Sequence, residues 1–423
     1  MSTILIKNAR YIITPGKVLE NKNILIEDGK ITSLTKSDSS DHIIDGEGML
    51  VMPGLINAHT HAAMSLFRGY ADDIPLQDWL NKKIFPAEAK LTSDDICYGT
   101  LLSCIEMIKS GTTAFVDMYM DIQAIVKAVQ QTGMRACVSN GVADNFDPSS
   151  RDKCLKKAAD SLKFVKGLND SKIVPSLGPH ALYNCSQNLL LDMKQMAEDN
   201  KVKLQIHLAE TKQETKDIYK LYSLSPFEVM QRFRMLGSNY ILSHCVWLTS
   251  ENVMDLAKSG SYVVHNPVSN LKLGSGIAPV NDLMHAGANV CLGTDGAASN
   301  NSLDMFETMK IASLLHKGHT MNPLATPAQK ILEAATINAA GIFGINNKIE
   351  VGGVGDLVLI DIKKPHLTPM LNPVSDIVYS MKSSDVDTVI IDGKIVMKDK
   401  KIKGVNEEEL YEKINKSVAR LVA

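Results

Sequence analysis

Two histidines one residue apart, His59 and His61 in PGLINAHTH, form the simplest metal grip in the chain. Side chains of an extended segment alternate with period two, so residues i and i+2 face the same way and both imidazoles can hold one cation. Further along, three more side chains of ligating type sit in short apolar runs: His207 in KLQIHLAE, His244 in YILSHCVW and Asp295 in NVCLGTDG. Imidazole and carboxylate donors with no thiolate suit one divalent cation, Zn²⁺ first, with Fe²⁺, Mn²⁺, Co²⁺ or Ni²⁺ able to take the same ligands. A centre of this kind lowers the pKa of water to about 7 and so points to hydrolysis. Any one of these histidines alone is more often a satisfied core residue. Their matching positions at the ends of separate apolar runs single out the set.

Those positions depend on the elements that carry them. Eight runs of strand length alternate with longer amphipathic segments: residues 54–61, 111–118, 135–142, 173–180, 203–210, 240–247, 261–268 and 289–296. The intervening segments read as helices, for example SDDICYGTLLSCIEMIKSG, with Ser93 as N-cap and Gly111 after the last turn. Eight βα units predict a (β/α)8 TIM-type barrel, whose chemistry sits at the C-terminal ends of its strands, where the histidines and the aspartate fall. Both ends of the chain have a different texture. ILIEDGKITSL and TVIIDGKIVMKDKKI are alternating strands joined by Asp-Gly, and they predict hairpins of one small sheet. The expected division is a small β-sandwich domain made from residues 1–53 and 350–423, and a metal-dependent barrel over residues 54–349.

Bulk properties exclude other classes. The 423 residues are 45% hydrophobic and 22% charged, with no apolar run long enough to span a membrane and no signal-like start, so the cytoplasm is the expected compartment. A net charge of −2 offers no field for a nucleic-acid backbone, and the lysines between Lys394 and Lys403 alternate with apolar residues like a solvated strand face. Seven scattered cysteines, none spaced C-x-x-C, suggest reduced and mostly buried thiols. The zinc deaminases that use H-x-E followed by P-C-x-x-C are excluded, because no such pair is present.

PGLINAHTH, HLAE, SHC and LGTDG, in this order and flanked by a split small sheet, resemble the amidohydrolase superfamily over nearly the whole chain. MSLFRGYADDIPLQDWLNKKIFPAEAK, LGPHALYNCS and HNPVSNLKLGSGIAP narrow the resemblance to the methylthioadenosine/S-adenosylhomocysteine deaminase group, which includes the archaeal 5′-deoxyadenosine deaminases. The resemblance implies hydrolytic deamination of a small-molecule adenine nucleoside by a homo-oligomer. It makes His59, His61, His207 and Asp295 the metal ligands and Glu210 the proton shuttle to the purine. His244 would orient the water and the forming oxyanion, Glu88 would accept the ribose hydroxyls, and His180 would also contact the nucleoside. Asp295 would also take part in proton transfer.

One departure bears on the substrate. Relatives that act well on S-adenosylhomocysteine carry an arginine near the end of the third strand, and the aligned residue here is Asn140, while Arg135 lies at that strand's start. A neutral amide cannot make the bidentate, charge-assisted pair of a guanidinium. A small, uncharged 5′ group is therefore expected. Trp79 reads as a packing residue, and His265 is open between cavity lining and structure. The alternatives are another aminopurine or heterocycle such as guanine, and an inactive binding barrel. Cyclic-amide hydrolysis at two metals is disfavoured, since IVPSLGPH has no lysine after Lys172.

Overall fold

Two Asp-Gly pairs turn the chain through left-handed backbone conformations, Asp28 and Gly29 at φ 47° and 76°, and Asp392 and Gly393 at 53° and 66°. Positive φ at both central residues matches the twist of a two-residue hairpin. Accordingly Lys17–Glu27 pairs with Lys30–Ser33, and Val386–Ile391 with Lys394–Lys398, in a computed structural model that describes residues 3–34, 40–74 and 78–422. The N- and C-terminal segments merge where Met49–Pro53 runs antiparallel to Leu357–Asp361, completing a nine-stranded mixed sheet. Ile4, Ile6, Ile24, Ile26, Leu357 and Ile390 are among the residues of its core.

The second sheet has eight parallel strands: β1 (Leu55–Thr60), β2 (Thr112–Tyr119), β3 (Arg135–Val142), β4 (Ile173–Pro179), β5 (Lys203–Leu208), β6 (Tyr240–His244), β7 (Tyr262–His265) and β8 (Asn289–Leu292), each beside its predecessor. Every residue of β1 and β2 is buried, as expected of parallel strands covered on both faces. The ring closes between the first and last strands: the Asp295 amide donates to the His59 carbonyl at 3.0 Å, and the Asn57 amide donates to Thr294 Oγ1 at 2.7 Å. The strands thus form a (β/α)8 barrel.

Several strands stop earlier than the sequence suggests. β5 and β6 end at 208 and 244, where Ala209, His244 and Cys245 take positive φ (51°, 74° and 48°) and leave the extended region; β8 ends at 292, and Asp295, at φ 64°, turns just beyond it. Glu210 and Asp295 therefore sit on turns just beyond their strands. The helix Ser93–Lys109 is capped one residue earlier than predicted: Thr92 Oγ1 accepts the Asp95 amide while the Asp95 carboxylate accepts the Thr92 amide. Arg135, at the start of β3, is spent on the small sheet through Asp356 (2.6 Å) and Asp392 (2.8 Å). All seven cysteines are free and all but Cys154 are buried. Among the described residues, no helix is long and apolar enough to cross a membrane. Pro75, Leu76 and Gln77 of the stretch that narrowed the resemblance lie outside those residues.

Candidate active site

At the C-terminal mouth of the barrel the rings of His59 and His61 lie 4.9 Å apart, and that of His207 is 4.9 Å from the first and 5.3 Å from the second. Two of these rings have their orientation fixed from behind. His61 Nδ1 donates to the Met118 carbonyl at 2.6 Å, and His207 Nδ1 donates to the His180 carbonyl at 2.7 Å. Both Nε2 lone pairs then converge with only 3.2 Å between them. Such a pair repels unless a cation lies beside it. Asp295 Oδ1 stands 3.4 Å from His59 Nε2 and 3.3 Å from His61 Nε2, while Asp295 Oδ2 accepts the hydroxyls of Ser269 (2.7 Å) and Ser299 (2.8 Å). Both ring nitrogens of His59 are buried without a hydrogen-bond partner. Buried polar atoms are seldom left so, and a Lewis acid held at Nε2, beside Asp295, would satisfy one of them.

Ligand atoms of His59, His61 and His207, and of His59, His244 and Asp295, each lie within 4.8 Å of one another. Burial lowers the pKa of His59 to about 4 and that of His207 well below its usual value, so both rings are neutral, as ligation requires. Carbonyl partners on Nδ1 of the kind seen at His61 and His207 are what orient metal-binding imidazoles. The residues fit a divalent cation.

His61, His207 and Asp295 line the inner end of a cavity of about 400 Å³, which also takes in Glu210, His244, His180 and Glu88, while His59 is buried and does not line it. Glu210 is buried with Ser275 Oγ at 3.5 Å, and burial raises its pKa, opposed by the facing His244 imidazole and helped by a smaller push from Asp295. His244 donates Nδ1–H to Asn270 Oδ1 at 2.8 Å, which turns Nε2 away from that partner. Burial alone would lower its pKa, but the facing carboxylates of Glu210 and Asp295 raise it instead. His180 Nδ1 accepts the Asn184 amide at 3.0 Å, leaving Nε2 to carry the proton.

Glu88 ends the short helix Phe85–Glu88, which follows a π-helical turn over Trp79–Ile84. Burial raises its pKa, against the pull of the Tyr119 hydroxyl, which donates to Oε1 at 2.6 Å. Among the described residues that line the cavity there is no lysine or arginine.

One sequence reading is displaced here, the packing residue Trp79 gains a second role, and the open question of His265 closes. Asn140 does not line the cavity: its amide nitrogen donates to Ser161 Oγ, and Gly141, Val142, Ala143 and Asn145 form the wall in its place. Trp79 does line it. His265 does not, and its Nε2 meets His316 Nε2 at 3.2 Å. The sequence reading also missed a supporting layer: Ser269, Ser299 and Asn270, and Tyr119. Asp117, pushed up to about 6 by burial, accepts Thr60 Oγ1 and the Ala62 amide on either side of His61. Ser269 and Asn270 lie inside the quoted HNPVSNLKL stretch, but polar residues there carry no signal of which atom they serve.

The amidohydrolase family model matches residues 50–396. The chain is 42% identical to a 5′-deoxyadenosine deaminase of Methanosarcina mazei, over 100% of this chain and 99% of that protein. It is 44% identical to a 5-methylthioadenosine/S-adenosylhomocysteine deaminase of Thermococcus sibiricus, over 93% and 94%. Among solved structures, an adenosine deaminase from Xanthomonas campestris with bound zinc superposes with a TM-score of 0.95 at 30% identity, covering 99% of this chain and 98% of that one.

Proposed function

The chain belongs to the amidohydrolase family, and from that premise we propose that it hydrolyses the 6-amino group of adenine nucleosides, releasing ammonia and an inosine-type product. The observation that carries this reading is one cavity whose inner end joins a cation-fitting set to a buried, protonation-prone Glu210, while its side wall holds a carboxylate without a cation. Such a carboxylate needs donors. Tyr119 supplies one to Glu88, and the vicinal hydroxyls of a ribose supply the rest.

His59, His61, His207 and Asp295 would hold the metal, Zn²⁺ by the donor set and by the zinc of the Xanthomonas structure. When bound it supplies a Lewis acid that makes water acidic enough to attack at neutral pH. Glu210 delivers its proton to purine N1, which makes C6 electrophilic. Asp295 takes a proton from the attacking water and returns it to the departing amino group, and His244 stabilises the oxygen that adds to C6. The C6–N bond breaks as ammonia leaves, and the remaining proton on the added oxygen returns to Glu210, which leaves the 6-oxo purine protonated at N1 and restores the acid.

The cavity wall favours 5′-deoxyadenosine, 5′-methylthioadenosine or adenosine over S-adenosylhomocysteine. The sequence argument rested on Asn140, which faces elsewhere; what supports the preference instead is the wall itself, where no lysine or arginine is found among the described lining residues. Ammonia release measured for the four nucleosides, on protein of known metal content, tests the reading. It fails if only S-adenosylhomocysteine is turned over. Glu210→Gln should keep its metal and lose roughly 10²- to 10⁴-fold in kcat, and a near-normal rate would remove Glu210 from the mechanism.

A further inference from the structure

The turn that aims Glu210 into the cavity is held from behind by a carboxylate with no other evident task. β5 ends at Leu208, and Ala209 takes φ 51°, a conformation that side-chain-bearing residues rarely adopt. The carbonyls of the turn are used by the next barrel loop: Leu208 O accepts the Cys245 amide at 2.9 Å, and Ala209 O accepts those of Val246 (3.0 Å) and Trp247 (2.9 Å). Its two inward amides go to Glu214, on the first turn of the helix Lys212–Tyr222. Glu214 Oε1 accepts the Ala209 amide at 3.0 Å and Oε2 the Glu210 amide at 2.7 Å.

The usual partner of a carboxylate at this third helical position is the amide of the N-cap, here Thr211. Thr211 does its half, accepting the Glu214 amide on Oγ1 at 3.0 Å. The Glu214 carboxylate instead reaches one and two residues further back. It is 4% exposed, no ion pair to it is found among the described residues, and burial together with the neighbouring Glu210 pushes its pKa up to about 7, so an ionisable carboxyl is buried beside Glu210 where a neutral cap would cost less.

We propose that Glu214 is a positioning residue for the deamination, its two oxygens gripping the Ala209 and Glu210 amides so that the left-handed turn keeps the Glu210 carboxyl in the cavity. The proposal rests on the reading of Glu210 as the proton donor. Without the grip, two buried amides lose their acceptors and Ala209 is free to relax toward commoner conformations, which swings Glu210 away from the purine. Glu214 touches neither substrate nor metal ligand, so metal content and KM should be spared.

Glu214→Gln keeps volume and reach but turns one acceptor into a donor that faces an N–H. It should lower kcat roughly 10- to 100-fold, as loss of a supporting hydrogen bond does, with metal content and KM within about twofold. Glu214→Asp, too short to reach both amides, should do the same. Hydrogen exchange at the amides of 209 and 210 should accelerate at least roughly tenfold in both variants. Because Glu214 acts through Glu210, the double variant E210Q/E214Q should be no slower than E210Q alone, within about threefold. Multiplied losses in the double variant, unchanged exchange at the two amides, or normal kcat in both Glu214 variants would each overturn the proposal. If E210Q itself turns over normally, the proton-donor reading fails instead, while the exchange measurement still judges the grip.

Discussion

The two ends of the cavity are built on opposite principles. At the inner end four polar side chains are tied from behind, His61 to the Met118 carbonyl, His207 to the His180 carbonyl, His244 to Asn270 and Asp295 to two serines, and His59 is held by burial alone. At the outer end Trp79, Leu80, Ile84, Met120 and Ala143 present apolar surface, Phe85 is 46% exposed, and Glu88 is held, among the described residues, by the Tyr119 hydroxyl. On the proposed reading, orientation would be fixed before substrate arrives where bonds are made and broken, and the wall would select by shape and by the absence of charge where the variable 5′ group lies. Substitutions at the inner end should therefore appear in kcat and metal content, and those at the outer end in KM and substrate ratio.

The sharpest way to break this contrast is at the ligands. His207→Ala leaves His61 Nε2 without its facing donor, and both metal content and ammonia release should fall below detection; retention of a full metal complement would remove His207 from the ligand set. One layer back the effect should shrink. Ser269→Ala with Ser299→Ala strips both hydroxyls from Asp295 Oδ2, and kcat should drop roughly 10- to 100-fold. A change confined to KM would place Asp295 orientation outside the chemistry.

The same contrast accounts for what the sequence disclosed. Strand alternation and the eight apolar runs were enough to bring His59, His61, His207, His244 and Asp295 to one barrel mouth, since those signals are local and strong. The turns that complete the inner end were hidden, because non-glycine residues such as Ala209 and Asp295 give no sign in sequence that they will adopt positive φ. Asn140 shows a second limit: alignment fixes a place along β3, but Ser161 on the neighbouring helix decides where the side chain turns. The Tyr119 to Glu88 bond joins residues 31 apart, and the serines on Asp295 come from two different segments. Contacts of that kind are properties of the packed barrel.

At the outer end the expected effects are smaller and of another kind. Tyr119→Phe removes the one fixed donor to Glu88 and so loosens the carboxylate that would receive the ribose. KM for 5′-deoxyadenosine should rise roughly 5- to 10-fold, about the worth of one ordinary hydrogen bond, with kcat within about twofold. A 2′-deoxy analogue should suffer less, because it offers Glu88 fewer hydroxyls. An equal penalty on both substrates would mean that Tyr119 supports the wall and not the diol.

The gentlest test adds what the outer wall lacks. Ala143 lines the cavity and is half-buried, beyond β3 and away from the ligand set, so Ala143→Arg can lay a guanidinium along the rim without displacing a tied inner group. If exclusion of an amino-acid carboxylate stems from the missing cation, the ratio of kcat/KM for S-adenosylhomocysteine to that for 5′-deoxyadenosine should rise roughly tenfold, the worth of about 1.4 kcal/mol. The gain should stay modest, because Glu88 offers the new arginine a competing carboxylate in the same cavity, and part of the charge will be spent on it. Combining the substitution with Glu88→Gln separates the two effects: the ratio should climb further while KM worsens for every nucleoside. A ratio unmoved by either change would mean that the length of the homocysteine arm, and not its charge, is what the wall of Trp79, Phe85 and Ala143 turns away.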